Sequence, residues 1–310
     1  MPVCLACKVN PGAGARPAFP PSLVVQVKAL ACELPHRRGL PLSRFSVEDI
    51  RQEVLAQGWI AEISGATIWR WLSRDAICPW RHRTWIFPRD PRFAEKAGPI
   101  LDLYHGHWEG QPLGPDDFVV SADEKTSIQA RRRIHASRPP APGHCALVEH
   151  EYERRGAWAY LAAWDVRRAK IFGRCEATTG MAPFDRLVED VMGQEPYRSA
   201  RRVFWIFDNG SSHRGQKAAQ RLQSRWPSII AVHTPVHASW LNQVEIYFSI
   251  IQRKVLTPGD FACLADLEAA LLAFQYRYEK SAAPFRWTFT RDDLAALLQR
   301  LKASALSAAA

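Results

Sequence analysis

The sequence contains no uninterrupted apolar run of about 18 residues, the length that a membrane-spanning helix needs. Its first 21 residues are rich in proline, glycine and alanine, and they lack the long apolar stretch of a signal peptide. We therefore expect a cytoplasmic protein with no membrane partner. Residues 1–21 are expected to form a flexible tail.

Cysteine is also sparse, with seven residues scattered along 310 positions. An odd, dispersed set is typical of reduced thiols rather than of a disulfide framework. Cys4 and Cys7 form one C-x-x-C pair, but no second Cys or His pair follows at zinc-site spacing, so a zinc site is not expected there. A glycine-rich phosphate loop is missing too. Ser211 lies near Asp208 and His213 without a nucleophile elbow around it, which argues against serine hydrolysis.

What the chain does have is positive charge. Its formal net charge is +10 and its isoelectric point is about 9.5, while 47% of its residues are hydrophobic, as in a globular protein. A basic soluble protein favours an anionic partner, and nucleic acid is the commonest such partner. The alternative is a basic surface that serves only solubility.

Residues 22–78 are predicted to form two or three short helices. Ser46, with Asp49 three residues on, and Ser64 are expected to be N-caps. The last helix has an apolar stripe of Ile68, Trp71 and Leu72. Its other face is expected to carry Thr67, Arg70 and Arg74. This pattern favours a helix-turn-helix whose exposed face contacts DNA, although an ordinary helical hairpin with a solvated charged face would look the same.

A basic segment follows these helices. Between residues 70 and 92 there are six arginines against two aspartates, interleaved with Trp80, Trp85 and Phe87. Prolines prevent a continuous helix here. Such a strip suits contact with DNA phosphates, and we assign Arg81 and Arg83 to that role. It also reads as an interdomain linker, and we place linker and helix at residues 79–112.

Residues 113–256 carry a different pattern, in the order β-β-β-α-β-α-β-α. A hairpin near Arg167 and Arg168, followed by alternating strands and helices, predicts an α/β domain in which helices flank a mixed five-stranded sheet. C-terminal helices are expected within residues 257–303, and a disordered tail at 304–310. The helix near residue 250 is expected to pack through Ile246, Ile250, Ile251 and Val255.

Three carboxylates stand at the ends of these predicted elements. Asp123 ends the first strand, Asp208 ends the fourth, and Glu245 begins the last helix of the sheet domain. If the first and fourth strands are neighbours, the carboxylates converge, and a hard divalent cation such as Mg²⁺ or Mn²⁺ offsets their repulsion. Taken singly, each acid is more often a turn residue, a cap or a partner of the helix dipole.

Long sequence blocks around these acids resemble a known family. The segments SADEKTSIQA, FDNGSSHRG and HTPVHASWLNQVEIYFSIIQRKV are similar to the catalytic blocks of bacterial insertion-sequence transposases of the mariner superfamily, the insertion-sequence-630 group. The resemblance covers roughly residues 22–303, most of the chain. It implies a ribonuclease-H-like fold, bacterial origin and a cytoplasmic, nucleoid-associated protein.

The resemblance also implies roles for individual residues. Asp123, Asp208 and Glu245 correspond to the catalytic and metal-binding triad, with Glu124 as the rival for the first position. Asn209, His213 and Asn242 fall inside the blocks and are expected to support the site without binding metal. Two Mg²⁺ or Mn²⁺ ions are implied as cofactors, and no nucleotide cofactor.

The implied reaction is cleavage of double-stranded DNA at terminal inverted repeats, followed by joining of the 3′ ends to target DNA at TA. Pairing of two ends implies a homodimer or a higher synaptic complex. Two alternatives remain: a metal-dependent nuclease of the same fold without strand transfer, and a catalytically inactive, transposase-derived DNA-binding regulator. Family members often carry two N-terminal helical modules, whereas only one clear helix precedes Ser46 here, so this region is expected to be truncated or diverged.

Overall fold

The structure is a computed structural model that describes residues 19–82, 88, 90–208 and 215–308. The chain divides into two compact units, Met1–Ile86 and Phe87–Ala310. Within the described ranges, no helix is both long and apolar enough to cross a membrane. Eight of the residues singled out in the sequence lie outside these ranges: Cys4, Cys7, Arg83, Trp85, Phe87, Asn209, Ser211 and His213.

The first unit is helical in its described part. Its elements are α1 (Pro21–Ala31), a 3-10 turn (Pro35–Arg38), α2 (Val47–Ala56) and α3 (Gly65–Arg74). Both predicted N-caps are confirmed. Ser46 and Asp49 form a reciprocal capping box at the start of α2, and the Ser64 side chain accepts a hydrogen bond from the backbone N–H of Thr67 at 3.2 Å.

The core of this unit confirms the predicted stripe of α3. Ile68 and Leu72 are fully buried, and they share one apolar cluster with Ile50 and Val54 of α2. Residues at i and i+4 lie on one face of a helix, so these two pairs define the sides on which α3 and α2 pack.

The second unit begins with α4 (Phe93–Tyr104) and a two-stranded hairpin, β1 (His107–Trp108) and β2 (Gln111–Pro112). The elements that follow are β3 (Asp117–Arg132), β4 (Glu153–Asp165), β5 (Lys170–Glu176), α5 (Met181–Met192), β6 (Arg202–Phe207), α6 (Gly215–Arg225), β7 (Ile229–His233), α7 (Val244–Ile251), a π-helical turn (Gln252–Leu256), α8 (Leu264–Glu279) and α9 (Arg291–Ala308). The segment predicted as a disordered tail is thus helical through Ala308.

The main sheet has five strands in the order β5-β4-β3-β6-β7. The β3-β4 and β4-β5 pairs are antiparallel, whereas β3-β6 and β6-β7 are parallel. The predicted mixed five-stranded sheet with flanking helices is therefore confirmed. The turn that joins β4 to β5 contains Arg167 and Arg168, as predicted, and both backbone N–H groups donate to the Asp165 carboxylate at 3.0 Å.

Each face of the sheet is covered by its own helices. Val119, Phe204 and Ile206 point to the face that packs against α4, α7 and α8. The alternating residues Val120 and Trp205 point to the opposite face, which packs against α5 and α6. Neighbouring side chains of a strand point to opposite faces of the sheet. The alternation therefore determines on which face each polar residue lies, as far as Lys125 on β3 and along the whole of β6.

The packing face predicted for α7 was wrong in part. Its buried residues are Val244, Tyr247, Phe248 and Ile251, spaced at i, i+3, i+4 and i+7. Ile246 and Ile250 are only partly buried, because the helix is rotated so that the two aromatic rings rather than these isoleucines face the sheet. Val255 lies in the π-helical turn and packs at the edge of the same cluster.

Candidate active site

Asp123 and Asp208 lie on the two central parallel strands of the sheet. The β3-β6 register pairs Ser121 with Ile206, so two residues further along, Asp123 stands level with Asp208, the residue that follows β6. Strand alternation gives both carboxylates the face covered by α7, since Val119 and Ile206 point there. The sheet thereby brings these two predicted site residues to one place, as the neighbouring of the first and fourth strands had implied.

Asn242 connects this position to the start of α7. Its side-chain Nδ2 donates to the carbonyl of Ala122 at 2.9 Å and to Oδ2 of Asp123 at 3.2 Å. The Ser121 hydroxyl donates a short hydrogen bond to Oδ1 of Asn242 and accepts one from the backbone N–H of Val244 at 2.9 Å. All the polar groups of this network are buried, so α7 is tied to β3 by hydrogen bonds that water does not weaken.

Glu245 lies in the first turn of α7, three residues after Asn242. Burial raises the pKa of its carboxyl group, the positive charge of Lys125 opposes that rise, and the negative charge of Asp208 adds to it. The effect of Asp208 indicates that these two carboxylates act on each other electrostatically. Lys125 lies two residues after Asp123 on the same face of β3.

Two cavities flank these carboxylates. One, of about 330 Å³, is lined by Asp208 and by residues 234–239, which connect β7 to α7. The other has a volume of about 290 Å³ and is lined by Lys125, Glu245, Phe248, Ser249, Gln252 and Arg253. Asp208 and Glu245 are thus each reached from a cavity, and the cavity beside Glu245 is lined by the basic residues Lys125 and Arg253.

The donor chemistry fits a hard divalent cation, because three carboxylates on adjacent elements offer only oxygen ligands. The cage is not closed, however: in the part of the chain that the structure describes, no three His, Cys, Asp or Glu side chains are close enough to hold a metal ion. Asp208 and Glu245 line separate cavities, which agrees with this spacing.

Glu124 lies on the other face of the sheet from Asp123. It is paired with Leu161 of β4, and Leu161 packs in the cluster beneath α5 together with the alternating residues Val120 and Ala122. Alternation along β3 thus separates the two neighbouring acids and directs Glu124 away from α7. Of the two neighbouring acids, only Asp123 lies on the face of β3 that α7 covers.

The exposed face of α3 differs from the predicted one at a single position. Arg70 and Arg74 are exposed, and so is Arg81 further along, but Thr67 is buried, with 8% of its surface exposed. The prediction that Thr67 points outward was wrong because its hydroxyl hydrogen-bonds that of the N-cap Ser64 at 2.9 Å, which holds the side chain against the preceding turn. The Arg70 Nη2 donates to the same Thr67 hydroxyl at 3.2 Å.

Sequence reasoning missed several residues that the structure brings to these surfaces. Trp69 is 53% exposed on α3 beside Arg70, which its spacing from the buried Ile68 and Leu72 could have revealed. Lys125 lies within the segment SADEKTSIQA, where nothing in the sequence indicates that it acts on Glu245. Ser121 gave no signal, because a serine inside an apolar strand does not reveal a partner 121 residues away.

Comparison with known proteins supports the same part of the chain. Residues 119–268 match the family model described as a DDE superfamily endonuclease. This range contains Asp123, Asp208 and Glu245. No curated protein matches the chain.

Among solved structures, the chain is similar to complexes of the Mos1 transposase. The paired-end complex with the left transposon end has a TM-score of 0.51 at 10% identity, covering 88% of this chain and 76% of that one. The mariner Mos1 paired-end complex with Mn has a TM-score of 0.52 at 12% identity, covering 86% and 75%. The one with Mg has a TM-score of 0.51 at 11% identity, covering 97% and 83%. At these identities the likeness shows the fold alone, a ribonuclease-H-like mixed sheet with flanking helices, as in Mos1.

Proposed function

We propose that the chain is a DNA transposase of the insertion-sequence-630 group, in which Asp123, Asp208 and Glu245 hold the catalytic divalent cations. The observation that carries this proposal is the level placement of Asp123 on β3 and Asp208 just after the adjacent parallel strand β6. Both face α7, whose first turn contains Glu245. The match of residues 119–268 to a DDE superfamily endonuclease model supports it independently.

The proposed reaction is phosphoryl transfer in two steps. A water oxygen attacks the phosphorus at the element end, the bond from phosphorus to the 3′ oxygen breaks, and a free 3′-hydroxyl remains. That hydroxyl then attacks a phosphodiester of target DNA at a TA dinucleotide, which forms a new 3′-to-5′ link and releases the target's own 3′-hydroxyl. Two Mg²⁺ or Mn²⁺ ions held by Asp123, Asp208 and Glu245 would supply positive charge that activates the attacking oxygen and stabilises the leaving one.

Individual residues of the chain prepare this site. Asp123 of β3 and Glu245 of α7 contribute oxygen ligands for the metal ions. The hydrogen bonds of Asn242 and Ser121 hold β3 and the start of α7 together. Lys125 balances negative charge beside Glu245. The exposed arginines of α3 and Arg81 are proposed to bind the terminal inverted repeats. Two copies of the chain would bring two ends together, and the likeness to paired-end complexes of Mos1 supports this.

The test is a cleavage and strand-transfer assay on DNA that carries the gene's own flanking sequence, with Mg²⁺ or Mn²⁺. Wild type is compared with Asp208→Asn and with Glu124→Gln, a matched loss of one charge on the opposite face of β3. We expect cuts at the repeat ends and joined products. Asp208→Asn should lower the rate roughly 100-fold or more, because a bound metal supplies several kcal/mol and each 1.36 kcal/mol is tenfold.

Other outcomes identify the alternatives. Cuts without joined products would indicate a nuclease of the same fold. Binding of the ends with neither cutting nor joining in either metal would indicate a DNA-binding regulator and would overturn the catalytic proposal.

A further inference from the structure

A third cavity adjoins the basic cavity beside Glu245. It has a volume of about 110 Å³ and shares Lys125 and Gln252 with that cavity. Residues 125–131 of β3 line one side, and residues between Gln252 and Phe261 line the other. We call the two cavities together the bulge groove. It runs from Glu245 to Arg131.

An irregularity in β3 shapes one wall of the bulge groove. The register between β3 and β4 shifts between Lys125 and Ile128, and Ser127 adopts a positive φ of 56°. Regular alternation after Asp123 and Lys125 would give Ser127 the α7 face, but Ile128 packs there instead. The bulge therefore interrupts the side-chain pattern of the strand next to the candidate active site, where such features are common.

The opposite wall is irregular as well. Residues Gln252–Leu256 continue α7 as a π-helical turn, which is wider than an α-helical one and is found often at functional sites. Gly259 completes this wall, and a Cβ atom there would lie 2.8 Å from the Phe261 ring and 3.0 Å from the Leu256 carbonyl. Only glycine lets the chain pass so closely.

The cations of the bulge groove form no close ion pair within the described residues, and Lys125 acts on Glu245 only through its longer-range charge. Within the described ranges, Lys125, Arg131 and Arg253 form no salt bridge, whereas Arg202 and Arg174 elsewhere in the unit are paired with carboxylates. Arg131 is held in place by the ring of Tyr152, 4.7 Å from its guanidinium carbon, and by a long 3.4 Å contact from Nε to the Gln129 side chain. Its terminal N–H groups are thus oriented and available for an anion.

The spacing of these cations indicates an extended anion rather than a small one. Lys125 and Arg131 are six positions apart on β3, at most about 20 Å at roughly 3.3 Å per residue, because Ser127 at the bulge is not extended. That distance corresponds to at most roughly six nucleotides, at about 3.4 Å of axial rise per nucleotide in a duplex. A single phosphate or nucleotide would contact only one end of such a groove.

We propose that the bulge groove holds the backbone of the DNA strand that continues from the reacting phosphate, with Arg253 contacting it near Glu245 and Arg131 contacting it at the far end. The proposal rests on the proposed function, because the reacting phosphate defines where the strand begins. Both arginines are positioning residues for the substrate. They act on binding and not on the bond that breaks.

The test uses full-length protein and end-DNA duplexes whose continuing strand is shortened stepwise from about eight nucleotides to none, a range that spans the estimated groove length. Binding is measured in EDTA by fluorescence anisotropy across a series of salt concentrations, for Arg131→Gln and Arg253→Gln. Matched controls are Arg132→Gln and Lys254→Gln, which remove the same charge from exposed neighbours that do not line the bulge groove. Arg131→Lys, which keeps the charge, is expected to retain most of the binding.

We expect each groove variant to reduce the slope of log K against log salt by about 0.7 to 0.9, the loss of one phosphate contact. The defect of Arg131→Gln should vanish once the strand is shorter than roughly six nucleotides, the length that spans the groove, while that of Arg253→Gln should persist with much shorter strands. In Mg²⁺, both variants should raise KM and leave kcat near the wild-type value.

Defects that do not depend on strand length, or that the control variants share, would overturn the groove assignment. If wild type cuts DNA and the groove variants bind and cut as it does, the groove assignment fails while the proposed function stands. If wild type binds with the expected length dependence and never cuts, the groove assignment stands and catalysis fails. Failure of wild type to bind DNA would overturn both.

Discussion

Asn242 donates a hydrogen bond from Nδ2 to Oδ2 of Asp123 at 3.2 Å, within a buried network. The two residues are 119 positions apart in the chain. Because of this contact, the position of Asp123, a candidate metal ligand on β3, depends on Asn242, which lies just before α7. A carboxylate whose second oxygen is held by a buried amide has fewer orientations to lose when it binds a cation.

Asn242→Ala should therefore weaken metal-dependent cleavage by roughly 10- to 100-fold, the usual range for partners that orient a metal ligand. It should also destabilise the fold by about 1–3 kcal/mol, since the Ala122 carbonyl loses a buried donor. The half-saturating Mn²⁺ concentration in the cleavage assay and the denaturation midpoint measure the two effects. A variant that lost stability but kept its Mn²⁺ dependence would show that Asn242 is only structural.

Neighbouring acids of β3 should differ sharply in their effect on activity. Asp123→Asn removes a charged oxygen ligand for the metal ion on the α7 face and is expected to abolish detectable cleavage. Glu124→Gln changes a side chain on the opposite face of β3 and should change the cleavage rate only a few-fold. Both variants remove one negative charge, so long-range electrostatics cannot explain a difference. Equal losses in initial cleavage rate would mean that the face assignment does not determine catalysis.

The Asp117–Arg202 pair should matter for stability at acid pH. Asp117 is fully buried and accepts two hydrogen bonds from Arg202, at 2.9 and 2.6 Å, between the starts of β3 and β6. The Arg202 guanidinium holds the pKa of Asp117 below its ordinary value. Its contribution is therefore complete above the unfolded pKa of about 3.9 and is lost as the pH falls through the folded pKa.

Asp117→Asn should cost about 1–3 kcal/mol at pH 7, because it removes the charge that strengthens two hydrogen bonds between the buried Asp117 and Arg202, whose side chain is 24% exposed. It should also flatten the decline of unfolding free energy below pH 4 (about the unfolded Asp value). Urea titrations at several pH values give both quantities. The matched control is Asp116→Asn at the exposed neighbouring position, and a similar loss there would refute the role of the pair.

The α3 face offers a test that separates DNA binding from folding. Arg70→Gln and Arg74→Gln should each reduce the salt slope of DNA binding by about 0.9 without changing the melting temperature. Thr67→Ala should do the reverse, costing about 1 kcal/mol of stability through the lost hydrogen bond to Ser64 and leaving the salt slope unchanged. Arg51→Gln, at a residue already paired with Glu48, is the charge control. A lower slope for Thr67→Ala would restore it to the interface.

Local signals explain what could be predicted from the sequence. Ser46 and Asp49 form their capping box because both partners are three residues apart, and strand alternation around Val119 and Ile206 depends only on neighbouring residues. The order of strands and helices then restricts the sheet, and the placement of Asp123 beside Asp208 follows from parallel pairing.

What could not be predicted depends on contacts between distant segments. The burial of Thr67 reflects a cap interaction that competes with its place on the exposed face. The rotation of α7 is determined by how Tyr247 and Phe248 fit the sheet. The bulge after Lys125 could not be predicted, because the segment contains no glycine that would indicate one. A periodic pattern gives the repeat of a helix face but not its phase when every candidate residue is apolar.

The parallel pairing of β3 with β6 also has a consequence for biosynthesis. The pair joins residues such as Ser121 and Ile206, between which β4, β5 and α5 must first be made, and loops of that length close late in folding. During synthesis at roughly 5–20 residues per second, Asp123 is therefore made several seconds before Asp208, and Glu245 follows later still. A nascent or prematurely terminated chain that stops before Glu245 lacks one of the three acids. Any DNA-cutting activity that depends on them is thus withheld until translation of the sheet domain is almost complete.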